Sequence, residues 1–176
     1  MRVEAQGGTY FVRESIAIIE YFEEILGTAE GYEDLRGETV QQRARTRDVL
    51  SLLGDAVVWS GVALVHSNTA TTAWSGLREE DMSVSAAAHA RMKFGGLMGK
   101  LESWVGEGEG MGGTLADVCV MAQVEYIREM YGVDWLEGFE GLKGWCERAK
   151  GLEWVVGREG LEGVEKTGRW EDVLGS

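Results

Sequence analysis

The sequence predicts a mainly helical protein in which a short β-hairpin and one helix precede an all-helical bundle. Two β-prone runs flank Gly7 and Gly8, and a stretch with apolar residues at helical spacing follows them. From Glu38 onward there is no further strand pattern. Thr114 and Asp117 have the spacing of a capping box, and they open a segment that is apolar on nearly every face. Such a segment is typical of a helix buried in the middle of a bundle.

Length and composition limit the possible classes of protein. At roughly 100–200 residues per domain, the 176 residues correspond to one domain, or to one domain and a fragment of another. The 44% share of hydrophobic residues is that of a globular protein and excludes disorder. No apolar run approaches the ~18 residues of a membrane span, and the N-terminus lacks the apolar region of a signal peptide. We therefore predict a cytoplasmic protein with no membrane partner.

Charge and metal-ligating residues exclude further classes. The net charge is −13, from 30 acidic and 17 basic residues, which argues against a nucleic-acid partner. Cys119 and Cys146 have no CxxC spacing, so we predict a reducing compartment and structural roles for both thiols. The only histidines are His66 and His89, so we predict no metal site.

The N-terminal elements follow from local signals. Gly7 and Gly8 suit the tight turn of a hairpin, and residues 15–26 have helical spacing, with Gly27 predicted just beyond the last helical residue. A lone hairpin is marginal in water. We therefore expect a further strand, from an upstream segment or from a partner chain, to complete the sheet.

The remainder is predicted as four helices and their connections. Long helices are expected at 39–67 and 83–105, the buried helix at 114–131 and a shorter one at 139–150. Residues 68–82 are predicted to connect the two long helices, and 106–113 to form a flexible loop. The tail is predicted to fold back in a last turn or two around its apolar residues, Trp154, Val155, Val156 and Trp170.

Three segments together resemble one protein family. They are GGTYFVRESIAIIEYFEE at 7–24, GTLADVCVMAQV at 113–124 and FEGLKGWCERAKGLEWV at 139–155. In this order and spacing they resemble the cytosolic glutathione transferase superfamily, in its fungal-type form. The resemblance implies that residues 1–27 are the last hairpin and helix of a thioredoxin-like domain. It implies that 38–176 are the all-helical C-terminal domain of that family.

The departures from the family pattern are equally informative. The family's first strand–helix–strand–helix, which carries a catalytic Ser, Tyr or Cys, has no counterpart, so no catalytic residue is assigned. The family's cis-proline would fall at or just before Met1, and the proline expected after the third segment is replaced at 151–153. Gly113 stands where the family has the apolar residue of a hydrophobic staple. The resemblance therefore implies that most of the thioredoxin-like half is absent.

Glu14 and Ser15 are the candidate ligand-binding residues. A helix N-terminus offers free N–H groups and partial positive charge, which suit a carboxylate. In the resembled family an acid–serine pair at this position binds the γ-glutamyl end of glutathione. The alternative interpretation is purely structural, with Ser15 as an N-cap and Glu14 as a favourable first-turn charge.

Other candidates have structural alternatives too. The resemblance places the 39–67 helix beside the acceptor-substrate pocket, with Trp59, Leu64, His66 and also Trp74 as candidate wall residues. Residues of these types at helical spacing are otherwise core. Thr114 and Asp117 are interpreted as a structural capping box.

Two functions remain open from the sequence. The first is a glutathione transferase-like homodimer that conjugates or reduces small hydrophobic electrophiles with glutathione as co-substrate, once its missing half is supplied. The second is a non-catalytic bundle used for protein docking or regulation. By family resemblance, such modules occur in the gamma subunit of translation elongation factor one and in fungal regulators.

Overall fold

A computed structural model describes residues 1–5, 7–29, 34–106 and 113–151. It is mainly helical with one small sheet, as the sequence predicts. The strands are β1 (Arg2–Ala5) and β2 (Gly8–Phe11), and the helices are α1 (Ser15–Ala29), α2 (Val40–Val65), α3 (Thr72–Ser75), α4 (Val84–Gly106), α5 (Leu115–Tyr131) and α6 (Glu140–Lys150). Two 3-10 turns lie at Thr69–Thr71 and Glu79–Asp81. The predicted turn around Trp154 and Trp170, and most of the 106–113 loop, lie outside the described residues.

The hairpin and α1 form one packed unit, called here the N-terminal unit. β1 and β2 pair antiparallel, with Val3 opposite Tyr10. Gly8 has a φ of 122°, a region that favours glycine. Val3 is buried, and the Tyr10 ring meets Tyr21 of α1 edge-on with 6.2 Å between the ring centroids. Helix α1 therefore covers the Val3 face of the hairpin.

Helix α1 begins at Ser15 as predicted but continues to Ala29, so the expected end before Gly27 is wrong. A glycine inside a helix costs only about 1 kcal/mol relative to alanine. No proline is present to force an end, because the chain contains none. The predicted 1–27 boundary accordingly falls inside α1.

The N-terminal unit meets the bundle at a junction made mainly of polar contacts. Among the described residues of the unit, Ile19 packs against the buried core. Glu23 accepts a hydrogen bond from the Leu35 N–H through Oε2 at 2.9 Å. Among the described residues, ion pairs across the junction join Glu20 to Arg47 at 3.1 Å and Glu24 to Arg36 at 3.6 Å.

Helix α2 is the central helix of the bundle and packs mainly on α4, with further contacts to α5. Thr39 caps it in a capping box with Gln42. By length and composition alone, α2 is apolar enough to cross a membrane, although charged residues interrupt its apolar run. Its most apolar 18-residue window has a mean hydropathy of 1.6. Of that window, 44% is buried inside the protein, because the apolar residues of α2 supply much of the core.

A side chain of α4 caps helix α6. Phe139 precedes α6 and supplies no side-chain cap. Instead, the Glu102 carboxylate accepts hydrogen bonds from the N–H groups of Gly141 and Leu142, at 2.7 and 2.8 Å. A Cβ on Gly141 would come within 2.9 Å of Glu102 Oε1. Glycine at this position therefore lets the two helices approach closely enough for the cap to form.

We expect Gly141→Ala to lower the free energy of unfolding by about 1–3 kcal/mol, because it displaces a charged acceptor from two N–H groups. Gly144→Ala in the same helix is the matched control, since a Cβ there would meet only Arg148 Nη1, at 3.5 Å. The control should be neutral or stabilising by up to ~1 kcal/mol. Urea unfolding monitored by circular dichroism measures both. Equal effects of the two substitutions would contradict the Glu102 cap.

Candidate functional site

Glu14 and Ser15 lie at the start of α1, where β2 passes into the helix. Both side chains are exposed, and the Ile18 N–H donates to the Glu14 carbonyl at 2.9 Å. Within the described ranges, no side chain accepts a hydrogen bond from the first N–H groups of α1. These N–H groups carry partial positive charge and face solvent. The start of α1 therefore presents donors for a carboxylate beside the acidic side chain of Glu14.

The start of α5 is a polar site enclosed within the bundle. Thr114 and Asp117 form a capping box, and Asp117 is 1% exposed. Asp117 Oδ2 accepts from the Thr114 N–H at 2.6 Å and from the Thr114 hydroxyl at 2.9 Å. Its other oxygen, Oδ1, accepts from Trp145 Nε1 of α6 at 2.7 Å. The carboxylate has three protein donors, so this site is structural.

Asp117→Asn should destabilise the fold by about 1–3 kcal/mol. The NH₂ group of the amide would replace one carboxylate oxygen and would then face a hydrogen-bond donor, either of Thr114 or of Trp145. Trp145→Phe keeps an aromatic ring but removes the indole N–H. We expect the double variant to be less destabilised than the sum of the two single variants. The measurement is a double-mutant cycle by chemical unfolding. Strict additivity would argue against the bond between Asp117 and Trp145.

The candidate wall residues do not form one surface. Leu64 is buried in the core, whereas Trp59 and His66 lie two turns apart on another side of α2. The Trp59 ring meets His89 edge-on at 5.7 Å. His66 Nδ1 accepts a hydrogen bond from the Ser83 N–H at 3.2 Å.

The local positions of these residues favour structural roles for two of them. His66 ends α2 and helps to hold the start of α4, and Leu64 packs in the core. Trp74, the fourth candidate, is 59% exposed on the short helix α3.

Three arginines gather at the junction but already have carboxylate partners. Arg36 Nε and Arg43 Nη2 contact Asp34 at 2.9 and 3.2 Å, and Arg47 pairs with Glu20. The hydrogen bond from Arg36 holds the pKa of Asp34 below its usual range. The three arginines and Glu20 line a cleft of about 300 Å³ between α1 and α2. The pairing leaves the cleft without an excess of positive charge.

A pair of buried residues carries part of the core and was not anticipated from the sequence. Trp135, in the turn before α6, is 1% exposed and donates its Nε1–H to Ser60 Oγ at 2.9 Å. The Phe94 ring lies 5.0 Å from the Trp135 ring. Trp135 lies outside every periodic segment, so helical spacing could not identify it.

Both cysteine thiols are protonated at neutral pH. Burial raises the pKa of Cys119 above its usual value. Burial raises the pKa of Cys146 to about 11, although the nearby Lys150 acts in the opposite direction. Cys146 lines a cavity of about 290 Å³ between α5 and α6, but the thiolate needed for nucleophilic attack is disfavoured there.

The raised pKa of Cys146 predicts a loss of stability at high pH. A thiol whose pKa is higher in the folded state keeps its proton there while the unfolded chain loses it. The free energy of unfolding should therefore fall from about pH 8.5, the usual thiol value, towards about pH 11. Cys146→Ala should flatten this fall in unfolding experiments across that range. An unchanged slope in the variant would contradict the assignment.

Comparisons with known proteins leave the family of the chain unassigned. No protein-family model matches the sequence, and no curated protein matches it. Among the residues that the structure describes, no group of three or more His, Cys, Asp and Glu side chains is placed to hold a metal ion. The fold itself is a mainly helical bundle with a two-stranded antiparallel sheet.

Proposed function

We propose that this chain is a glutathione transferase-like protein that binds glutathione at the start of α1 and uses it on small hydrophobic electrophiles. The observation that carries the proposal is the exposed pair Glu14–Ser15, beside helix N–H groups that have no described side-chain partner. The order of elements supports it, since a hairpin and a helix precede a bundle with a capped, largely buried α5.

The chemistry of this half-site matches the γ-glutamyl end of glutathione. That end carries both an α-carboxylate and an α-ammonium group. The Ser15 hydroxyl and the first N–H groups of α1 would bind the carboxylate, and Glu14 would bind the ammonium group. Hydrogen bonds to charged groups are worth about 1.5–3 kcal/mol each. An open site with few such bonds predicts affinity in the millimolar range.

Conjugation also requires a group that lowers the thiol pKa of glutathione from about 8.5. Within the described part of the chain, no such group stands beside Glu14 and Ser15. The hydroxyls of Tyr10 and Tyr21 interact with each other, and this hydrogen bond raises the pKa of Tyr10. Activity on electrophiles is therefore proposed only for a protein in which a thiol-activating donor completes the site.

Ser15→Ala should weaken glutathione binding about tenfold, the effect of losing one hydrogen bond to a charged group. The measurement is a glutathione titration followed by the ¹H–¹⁵N signals of Ser15 and Ile16. Ser103→Ala is the matched control, because Ser103 is also an exposed helical serine. Glutathione-induced shifts that are absent from wild type, or unchanged in Ser15→Ala, would overturn the proposed site.

A second ligand tests which end of glutathione is bound. γ-Glutamylcysteine retains the group that the half-site would bind, whereas cysteinylglycine lacks it. The first should shift the same signals as glutathione, and the second should not. Equal responses to the two dipeptides would assign the effect to the thiol and not to the γ-glutamyl end.

A docking module is the second candidate, and the exposed apolar surface of the N-terminal unit favours it. The large apolar side chains exposed there are Tyr10, Phe11, Ile16, Phe22 and Ile25. A protein that binds no glutathione but retains this surface would fit the docking function. The titration above therefore separates the two candidates.

A further inference from the structure

Among the residues that the structure describes, only β2 pairs with β1, so the other edge of β1 is open within that part of the chain. Met1 and Val12 exchange two hydrogen bonds, at 2.6 and 2.9 Å. Hydrogen-bonded and non-hydrogen-bonded pairs alternate along an antiparallel ladder. Val3 and Tyr10 are therefore the next hydrogen-bonded pair. It follows that the N–H and C=O groups of Arg2 and Glu4 point away from β2, towards the open edge.

The side chains at this edge are complementary to their own copy. Arg2 and Glu4 are exposed, carry opposite charges two positions apart and form an ion pair with each other at 2.6 Å, which a second copy would exchange for pairs between chains. In an antiparallel pair with Val3 opposite Val3 of a second copy, each Arg2 faces a Glu4. Each of these two facing pairs would exchange two backbone hydrogen bonds, because their N–H and C=O groups already point outward.

The same charges disfavour other registers. A shift of two residues in one direction places Glu4 opposite Glu4, and a shift in the other direction places Arg2 opposite Arg2. Like charges directly opposite each other destabilise a strand pair. A shift of one residue turns the side chains of the second strand to the other face. The edge therefore selects one antiparallel register.

We propose that β1 pairs edge to edge with β1 of a second copy, giving a four-stranded antiparallel sheet. A two-stranded sheet is marginal in water, and added strands stabilise it. Directly opposed residues of a strand pair point to the same face, so the buried Val3 would continue the apolar face into the second copy. Both α1 helices would then cover one face of the combined sheet.

The open edge of β2 is the weaker alternative. Its outward groups belong to Thr9 and Phe11, which carry no charge and select no register. Charges on an edge strand normally prevent pairing with other chains. The opposite charges of Arg2 and Glu4 disfavour pairing with most other strands, but they are complementary to a second β1. The inference goes beyond the proposed function, because Glu14 and Ser15 take no part in it.

Sedimentation velocity of the full chain over a range of concentrations tests the proposal. Wild type should associate to a dimer. Arg2→Glu places two glutamates opposite each other in each facing pair, and Glu4→Arg places two arginines there. Each variant should associate roughly tenfold or more weakly than wild type, because two favourable pairs become two repulsive ones.

Mixing the two variants provides the decisive measurement. An equimolar mixture of Arg2→Glu and Glu4→Arg restores both opposite-charge pairs between unlike chains, so a heterodimer should form. The double variant R2E/E4R should associate like wild type. Arg91→Glu, on the exposed side of α4, is the control for the change in net charge and should leave association unchanged.

Three outcomes would overturn the pairing. A monomeric wild type would show that the edge does not recruit a second copy. A dimer that persists unchanged in Arg2→Glu would place the contact on another surface. A mixture that associates no better than its components would show that the charges do not face each other. The glutathione titration is read separately on Ser15, so failure of one proposal leaves the other intact.

Discussion

The buried carboxylate of Asp117 is the interaction on which the arrangement of the last two helices depends. It closes the first turn of α5 through Thr114 and binds the indole of Trp145 in α6. Taking a carboxylate out of water is costly, and here three donors offset that cost. Leu115, the first residue of α5, also donates its N–H to the Leu35 carbonyl at 2.7 Å. The segment after α1, helix α5 and helix α6 therefore meet within the first turn of α5.

Other helix ends are satisfied in the same way, by groups from elsewhere in the chain. Glu102 of α4 accepts from the first turn of α6, and His66 at the end of α2 accepts from Ser83 before α4. Each bond fixes where one helix starts relative to another. The apolar side chains between these ends supply the non-directional part of the stability. The hydrogen bonds at the helix ends fix the position of each helix along its neighbour.

The sequence predicted the elements better than it predicted their contacts. Helices α2, α4, α5 and α6 lie within a few residues of their predicted limits, because apolar spacing and the Thr114–Asp117 cap are local signals. The end of α1 was missed, since a glycine only weakens a helix. Glu102 and Trp135 were also missed, because their partners lie far away in the sequence.

In the candidate site, too, local features were predictable from the sequence and long-range contacts were not. The position of Glu14 and Ser15 at a strand-to-helix transition was predictable from local patterns, and the structure has them there. The facing direction of Leu64 was not, because α2 is apolar over so much of its surface that periodicity leaves its buried side undefined. Helical spacing likewise cannot show whether a side chain or a ligand binds the first N–H groups of α1.

The junction between the N-terminal unit and the bundle gives the molecule a weak point that depends on salt. Among the described residues, Ile19 is the apolar side chain of this unit that packs on the core, and surface ion pairs such as Glu20–Arg47, which dissolved ions screen, add to the junction. The unit should therefore detach at a free energy well below that of unfolding the bundle. Glu14 and Ser15 belong to this unit. A ligand that binds them more strongly when α1 is packed on the bundle would stabilise the junction. By linkage, packing of α1 on the bundle would raise the affinity for that ligand. Raising the ionic strength would therefore weaken ligand binding through the junction, in addition to screening the charges of the ligand itself.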